Sequence, residues 1–199
     1  MVLVGIVVYG ITAMATNGID SRMIAQETKA FFDSDNAADT VARINDDSIT
    51  RGEFESYRNL LTYTSVDLTD SEVLDKMITQ RVLIQEAISQ GCSVSESEVD
   101  NFCDSNFMQA EQQPEIKKIL EDYASTLGMT LNEYKEYCRP FYENMLLYNQ
   151  WVENQRKAFE SKNALTFQDE ATRDELFDKY LNQAIESAIQ SADIQIFGF

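Results

Sequence analysis

The chain has 199 residues, 44% of them hydrophobic but only seven glycines and two prolines, which is the composition of one main, largely helical domain. Its 16 basic and 34 acidic side chains give a net charge of −18, which repels phosphates and excludes nucleic acid as an expected partner. Histidine is absent, so the commonest general base and the preferred nitrogen ligand of zinc are missing, and we predict no enzyme, no metal site and no cofactor.

An uncharged apolar run of fourteen residues, VLVGIVVYGITAMA, occupies positions 2–15. It is shorter than the roughly 20 residues that span a bilayer as a helix, but it matches the apolar core of a signal peptide. Ala13-Met14-Ala15 also has the small-x-small form of a cleavage site. No basic residue precedes Arg22, and an upstream start with further apolar residues would make the run an uncleaved anchor. We therefore predict a signal peptide or membrane anchor at 1–15, with a β-branched core strand as the alternative.

The next segment, 16–38, has no sustained hydrophobic period and contains the polar run DSDN at 33–36. We predict a linker there, with one helical stretch at about 23–32. The folded domain is then expected at 39–199.

Two strand-like segments lie at the opposite ends of this domain. A β-hairpin is predicted from 40–44 and 48–50, which flank the turn Asn45-Asp46-Asp47. Residues 192–197 alternate like a strand, and the hairpin is their candidate partner. The two ends of the domain should therefore meet in a small sheet.

Four helix starts carry the capping-box pattern, in which Ser or Thr is followed three residues later by Glu. The hydroxyl accepts a hydrogen bond from the third amide, and the glutamate accepts one from the amide of the capping residue. The pairs are Thr50 with Glu53, Thr69 with Glu72, Ser95 with Glu98, and Thr130 with Glu133. Apolar periodicity then predicts helices at about 51–64, 71–90, 96–112, 115–126, 131–161 and 171–191. Gly91 suits the left-handed position that ends the second of them.

Three cysteines, Cys92, Cys103 and Cys138, form an odd set without CxxC spacing, so neither a zinc knuckle nor a thioredoxin-like motif is predicted. We favour three small buried side chains, because free cysteine is among the most buried residue types. A Cys103–Cys138 bridge in an oxidising compartment stays open as the alternative.

Three segments of the chain resemble the N-terminal domain of SurA, which is shared with the extracellular foldase PrsA and related exported chaperones. They are VARINDDSITRGEF at 41–54, LDKMITQRVLIQEA at 74–87 with Gly91 closing it, and VSESEVD at 94–100. The resemblance covers most of 40–197. It implies a mainly α fold: a multi-helix chaperone domain whose small β-sheet joins the N-terminal hairpin to the C-terminal strand, with an apolar crevice that holds unfolded segments.

Many members of that family carry one or two parvulin-type prolyl isomerase domains between the long helix and the last one. Only 162–169 lies there in this chain. The parvulin active site characteristically includes histidines, which are also missing, so we expect no isomerase activity. The resemblance thus implies an ATP-independent holding chaperone that binds unfolded or extended polypeptide.

This chaperone is expected outside the cytoplasm, anchored to the outer face of the cell membrane or secreted, or in the periplasm of a Gram-negative cell. Only the N-terminal segment should contact a membrane. The acidic surface either provides solubility or keeps client-loaded molecules apart. The alternative function is a dedicated envelope adaptor or scaffold that binds one membrane or secreted partner.

A surface that accepts many clients needs exposed Met and aromatic side chains that adapt to different sequences. The segment 102–151 supplies them at helical spacing, although the same spacing also fits a helix core. The candidate client-binding residues are Phe102, Phe107, Met108, Tyr134, Tyr137, Phe141, Met145 and Tyr148.

Overall fold

The computed structural model describes residues 20–63, 68–163 and 170–198. The predicted signal peptide or anchor at 1–15 lies outside these residues, as does 16–19 of the predicted linker. Among the described helices, none combines the length and the apolar character needed to cross a membrane.

Seven helices and three strands follow one another in the described residues. The order is α1 (Ser21–Phe32), β1 (Thr40–Ile44), β2 (Asp47–Thr50), α2 (Arg51–Tyr63), α3 (Asp70–Ser89), α4 (Glu96–Glu111), α5 (Pro114–Thr126), α6 (Leu131–Asn163), α7 (Glu170–Ser191) and β3 (Ile194–Ile196). The predicted mainly α fold with a small sheet is therefore confirmed, and most of the helix bounds agree with the predicted ones within one or two residues.

The sheet joins the two ends of the domain, as the alternating patterns predict. Its strand order is β2-β1-β3, and both pairings are antiparallel. Arg43 in the central strand lies opposite Ser48 on one side and Gln195 on the other. A strand of three residues at the end of the chain is thus held by a hairpin that forms about 150 residues earlier in the sequence.

All four predicted capping boxes are present. In each, the amide of the Ser or Thr donates to the glutamate carboxylate at 2.7–2.8 Å. The amide of the glutamate donates to the hydroxyl at 3.2–3.4 Å. Gly91 has the predicted left-handed conformation, with a φ of 82°. The following amide, of Cys92, donates to the carbonyl of Ala87 at 2.9 Å, which closes the end of α3.

One hydrophobic core, core A, lies between the sheet, α2, α3, the second half of α6 and α7. Its fully buried large side chains include Ile44 and Ile49 of the sheet, Phe54 and Leu61 of α2, and Trp151 of α6. Burying a side chain of this size contributes roughly 1.5–3 kcal/mol relative to leaving it exposed. Core A therefore fixes the hairpin and β3 to α2, α3, α6 and α7.

A second core, core B, lies between α1, α4, α5 and the first half of α6. Phe107, Leu120, Tyr134, Cys138 and Tyr142 are buried there. Because α6 contributes to both cores, this helix of 33 residues is the main connection between them. The three cysteines are buried free thiols, in agreement with the favoured interpretation.

Residues 21–32, which the sequence predicts to be part of a linker, form a helix that packs into core B. Ile24 and Ala25 are both 0% exposed. The helix begins at Asp20, whose carboxylate accepts a hydrogen bond from the Arg22 amide at 3.0 Å. Its buried face also contains Ser21 and Thr28, and this small and polar composition hides the hydrophobic period that would identify the segment as part of the domain.

Candidate functional site

Helices α4 and α6 carry all eight candidate client-binding residues and pack against each other. Phe102, Phe107 and Met108 lie on α4, and the other five lie on α6. The burial of each side chain decides which of them can contact a client, since a surface site needs groups that reach solvent.

Two of the candidates, Phe107 and Tyr134, belong to core B. They are 1% and 3% exposed, and their ring centroids lie 6.3 Å apart in an edge-to-face arrangement. Tyr134 also contacts Tyr123 of α5 at 5.5 Å. These rings hold α4, α5 and α6 together, so for both residues the structure places the side chain in the helix core and away from a client surface.

Four of the candidates form one continuous stripe on α6. We call Tyr137, Phe141, Met145 and Tyr148 the α6 stripe. Their spacing of four, four and three residues places them on one face of the helix. Tyr137 is 42% exposed, and the other three are half-buried. The rings of Tyr137 and Phe141 lie 6.0 Å apart.

The α6 stripe runs along the junction of the two cores. Met145 packs against core B, whereas Tyr148 packs against core A. At the other end, partial burial and, to a smaller extent, the charges of Cys138 and Glu53 raise the pKa of Tyr137. The stripe therefore extends along α6 from one core towards the other.

The remaining two candidates do not belong to this stripe. Phe102 is half-buried, and its ring lies 5.5 Å from that of Tyr142 in core B. Met108 is 60% exposed on α4, next to the buried Phe107. The structure thus groups four of the eight predicted residues on one partly exposed face and leaves the others in core B or elsewhere on α4.

A polar pocket of about 280 Å³ lies where α4 and α6 pack together. Its floor is Cys103, and ion pairs between the helices form its rim. The Arg139 guanidinium binds the Asp100 carboxylate at 2.8 Å, and the Lys135 ammonium binds Asp104. Two ion pairs at the pocket's rim therefore join α4 to α6.

The chemistry of this pocket gives no activated nucleophile. Burial raises the pKa of the Cys103 thiol, while Lys135 and Arg139 lower it by smaller amounts. The thiolate is the reactive form of cysteine, so a raised pKa keeps Cys103 protonated near neutral pH. Within the ranges 20–63, 68–163 and 170–198, no group of three or more acidic or cysteine side chains is placed to hold a metal ion.

The sequence does not identify one contributor to the junction of the cores, which is α1. Ile24 and Ala25 pack in core B, and Leu60 of α2 contacts both cores. The signal that was available is the helical spacing of Ser21, Ile24, Ala25 and Thr28 after the cap residue Asp20.

In comparisons with known proteins, no family model matches this chain, and neither a curated protein nor a solved structure matches it.

Proposed function

We propose that this protein is an ATP-independent holding chaperone that binds unfolded polypeptide segments and has no prolyl isomerase activity. The observation that carries the proposal is the α6 stripe. It presents aromatic and Met side chains, partly exposed, along the junction of two cores. Side chains of this kind adapt to many apolar sequences without specifying one.

Half-burial suits this role in a specific way. Met145 and Tyr148 each pack against a core while part of the side chain reaches solvent, and Phe141 is half-buried beside the Tyr137 ring. Such a surface is formed before the client arrives, so little side-chain entropy is lost when it binds. Tyr137 adds a hydroxyl beside the ring, which lets the surface accept a polar backbone group next to an apolar side chain.

The net charge of −18 supports the same function. A protein that binds exposed apolar chain must not associate with itself when loaded. Mutual repulsion between strongly acidic molecules opposes that association, and it weakens as salt is added.

The small sheet supports the resemblance to the SurA N-terminal domain, because a hairpin joined to a returning C-terminal strand is the arrangement which that resemblance implies. Between α6, which ends at Asn163, and α7, which begins at Glu170, only 164–169 intervenes. No parvulin domain fits in that space. We also propose, from the sequence, that the protein lies outside the cytoplasm and that the apolar segment at 1–15 directs it there as a signal peptide or membrane anchor.

The proposal is tested by light scattering of two unrelated, chemically unfolded clients during dilution from denaturant. The full chain should suppress aggregation of both clients without nucleotide. Tyr137→Ser together with Phe141→Ser should weaken suppression of both. Ile88→Ser is the control, since Ile88 is 57% exposed on α3 and is not part of the α6 stripe.

If the unmodified chain suppresses neither client, the holding function is wrong, and an adaptor for one envelope partner becomes the better explanation. A second assay follows the cis–trans isomerisation of an X-Pro peptide, which should proceed at its uncatalysed rate. A measurable acceleration would contradict the absence of isomerase activity.

A further inference from the structure

Helix α1 connects the two cores at a second place, apart from α6. It packs most extensively against α2, whose large side chains lie in core A, and next against α5, which belongs to core B. In the described part of the chain, no other helix pair from opposite cores packs extensively. The helix therefore occupies a groove whose two walls are α2 and α5.

The face that α1 buries in this groove is narrow. It contains Ser21, Ile24, Ala25 and Thr28, which are at most 7% exposed. Only Ile24 is a large apolar side chain, and the other three are small. Met23, in the same helix, is 43% exposed. The groove thus holds one aliphatic side chain among small ones.

The groove beneath α1 is apolar and is linked to the α6 stripe through buried aromatic rings. Leu120, Tyr123 and Ala124 of α5 pack with Ile24 in core B. Tyr123 contacts Tyr134 at 5.5 Å, and Tyr134 stacks on Tyr137 at 6.1 Å. A chain of rings therefore leads from the wall of the groove to the exposed end of the stripe.

The connection between α1 and the sheet is anchored on its sheet side by two backbone hydrogen bonds. The Arg51 amide donates to the Asp39 carbonyl at 2.7 Å, and the Gly52 amide donates to Ala37 at 3.0 Å. These bonds fix the chain from Ala37 onward. The exposed residues 33–36 lie between that point and α1, and displacement of α1 would require this segment to act as the hinge.

We propose that α1 is a resident occupant of the client groove, and that client segments of similar chemistry displace it. The preferred segment presents one aliphatic residue between small residues at helical spacing. This inference rests on the proposed holding function. Because a client can fill this groove only when α1 is out, the apparent dissociation constant for the groove equals the intrinsic one divided by the fraction of molecules in which the groove is open.

The experiment uses the full chain and two variants of α1 that add the same charge. Ala25→Asp places a carboxylate on the buried face, whereas Gln26→Asp places it on the exposed face of the same helix. Hydrogen exchange followed by mass spectrometry reports whether 21–32 is released while the other helices stay protected. Affinity is measured with a reduced and alkylated unfolded protein, and with a labelled peptide that has the sequence of 20–33.

Ala25→Asp should speed exchange in 21–32 alone and lower the dissociation constants of both probes by about fivefold or more. Gln26→Asp should leave exchange and both affinities as in the unmodified chain. Release of α1 without a gain in affinity for the unfolded protein would overturn the inference, and the holding function would stand if the unmodified chain binds that protein.

Failure of the holding function has a different signature. In that case no variant binds the unfolded protein, although the 20–33 peptide still binds the Ala25→Asp chain in the opened groove. If Ala25→Asp unfolds the whole chain, the milder Ile24→Ala decides. Global loss of protection in Ile24→Ala would show that α1 is an integral part of core B and would overturn the inference.

Discussion

Asn45 and Asp193 are 148 positions apart in sequence and hydrogen-bonded to each other twice. The Asn45 amide donates to the Asp193 carbonyl at 2.8 Å, and the Asp193 amide donates to the Asn45 side-chain oxygen at 3.0 Å. Asn45 is also the only described non-glycine residue with a positive φ, at 53°. One turn residue of the hairpin thus fixes the point at which the C-terminal strand enters the sheet.

Substitution of Asn45 should therefore destabilise the domain more than substitution of its neighbour in the turn. Asn45→Ala removes the side-chain hydrogen bonds to Asp193 and to Gln85. It also puts alanine, which has no polar side chain to form local hydrogen bonds, in the left-handed region. We expect a loss of about 1–3 kcal/mol. The measurement is urea unfolding followed by the fluorescence of Trp151, the single tryptophan.

Two further variants separate the contributions at this turn. Asn45→Gly loses the side-chain bonds but tolerates the positive φ, so it should fall between Asn45→Ala and the unmodified chain. Asp46→Ala changes an exposed residue of the same turn and should stay within about 0.5 kcal/mol of the unmodified chain. Equal stability of Asn45→Ala and Asp46→Ala would show that the Asn45–Asp193 contact has no net effect.

The helix starts could be predicted because their signals are local in sequence, and the sheet could be predicted because its C-terminal strand had one good candidate partner. Each capping box, such as Ser95 with Glu98, is complete within four residues and needs no tertiary contact to form. The backbone N–H and C=O groups of the C-terminal strand need hydrogen-bond partners, and the N-terminal hairpin was the candidate that could supply them. Helix α1 could not be assigned to the domain in this way, because Ser21 and Thr28 are buried by their position against α2 and α5 and not by their own hydrophobicity.

The candidate site was predicted only in part, for a related reason. Helical spacing places Tyr134, Tyr137 and Phe141 on overlapping faces of α6, and all three are aromatic. Which of these faces is covered depends on where α4 and α5 lie, since Tyr134 is buried by Phe107 and Tyr123 while Tyr137 keeps contact with solvent. Sequence periodicity gives the direction of a side chain about its own helix axis, but not the neighbour that it meets.

The capping glutamates should give the fold a specific sensitivity to acid. Hydrogen bonds from the backbone and side chain of Thr69 lower the pKa of Glu72 from its usual 4.5, and Ser95 and Thr130 lower those of Glu98 and Glu133 in the same way. A carboxyl group whose pKa is lower in the folded than in the unfolded chain stabilises the fold at pH values above its unfolded pKa. This stabilisation disappears as the pH falls below 4.5 and through the folded pKa values.

The test is a triple variant, Glu72→Gln, Glu98→Gln and Glu133→Gln, which keeps the capping geometry without a titrating group. Its urea midpoint should change less between about pH 6 and about pH 3.5 than that of the unmodified chain. Glu111→Gln, Glu143→Gln and Glu186→Gln together make the same change in net charge at exposed positions outside the caps. If both triple variants lose the same amount of pH dependence, general charge repulsion and not capping causes it.

The three cysteines should be almost unreactive in the folded protein. Cys92, Cys103 and Cys138 are 5%, 3% and 0% exposed. Burial raises the pKa of Cys138 to about 12, and it raises that of Cys103 as well. Burial opposes the reaction of all three thiols, and the raised pKa opposes it further at Cys103 and Cys138, since the thiolate is the form that attacks a disulfide reagent.

Titration with an aromatic disulfide reagent at mildly alkaline pH checks this prediction. Folded protein should release little chromophore over minutes, and protein in denaturant should release that of all three thiols. The intact mass measured without reductant should equal that of the chain with three free thiols, because a Cys103–Cys138 disulfide would lower the mass by two hydrogen atoms. Fast reaction of even one thiol in the folded state would contradict the buried placement.

The ion pairs between α4 and α6 should contribute modestly to stability, in a way that depends on salt. Arg139 binds Asp100 at 2.8 Å, but the two side chains are 31% and 57% exposed, so solvent screens the attraction. Arg139→Glu should destabilise the chain by placing like charges together, and Asp100→Arg in the same molecule should restore part of the loss. We expect a coupling of about 0.2–1 kcal/mol at low salt that shrinks in about 1 M NaCl.

The same charge swap at Glu153 and Lys157 serves as the comparison, because that exposed pair lies within α6 and joins no second helix. Its reversal should change the urea midpoint by less than Arg139→Glu does, since no contact between helices is involved. The two sets of charge-swap variants therefore distinguish an ion pair that helps to align α4 on α6 from one that lies on the surface of a single helix. A coupling between Asp100 and Arg139 that is zero at low salt would show that core B alone sets this packing.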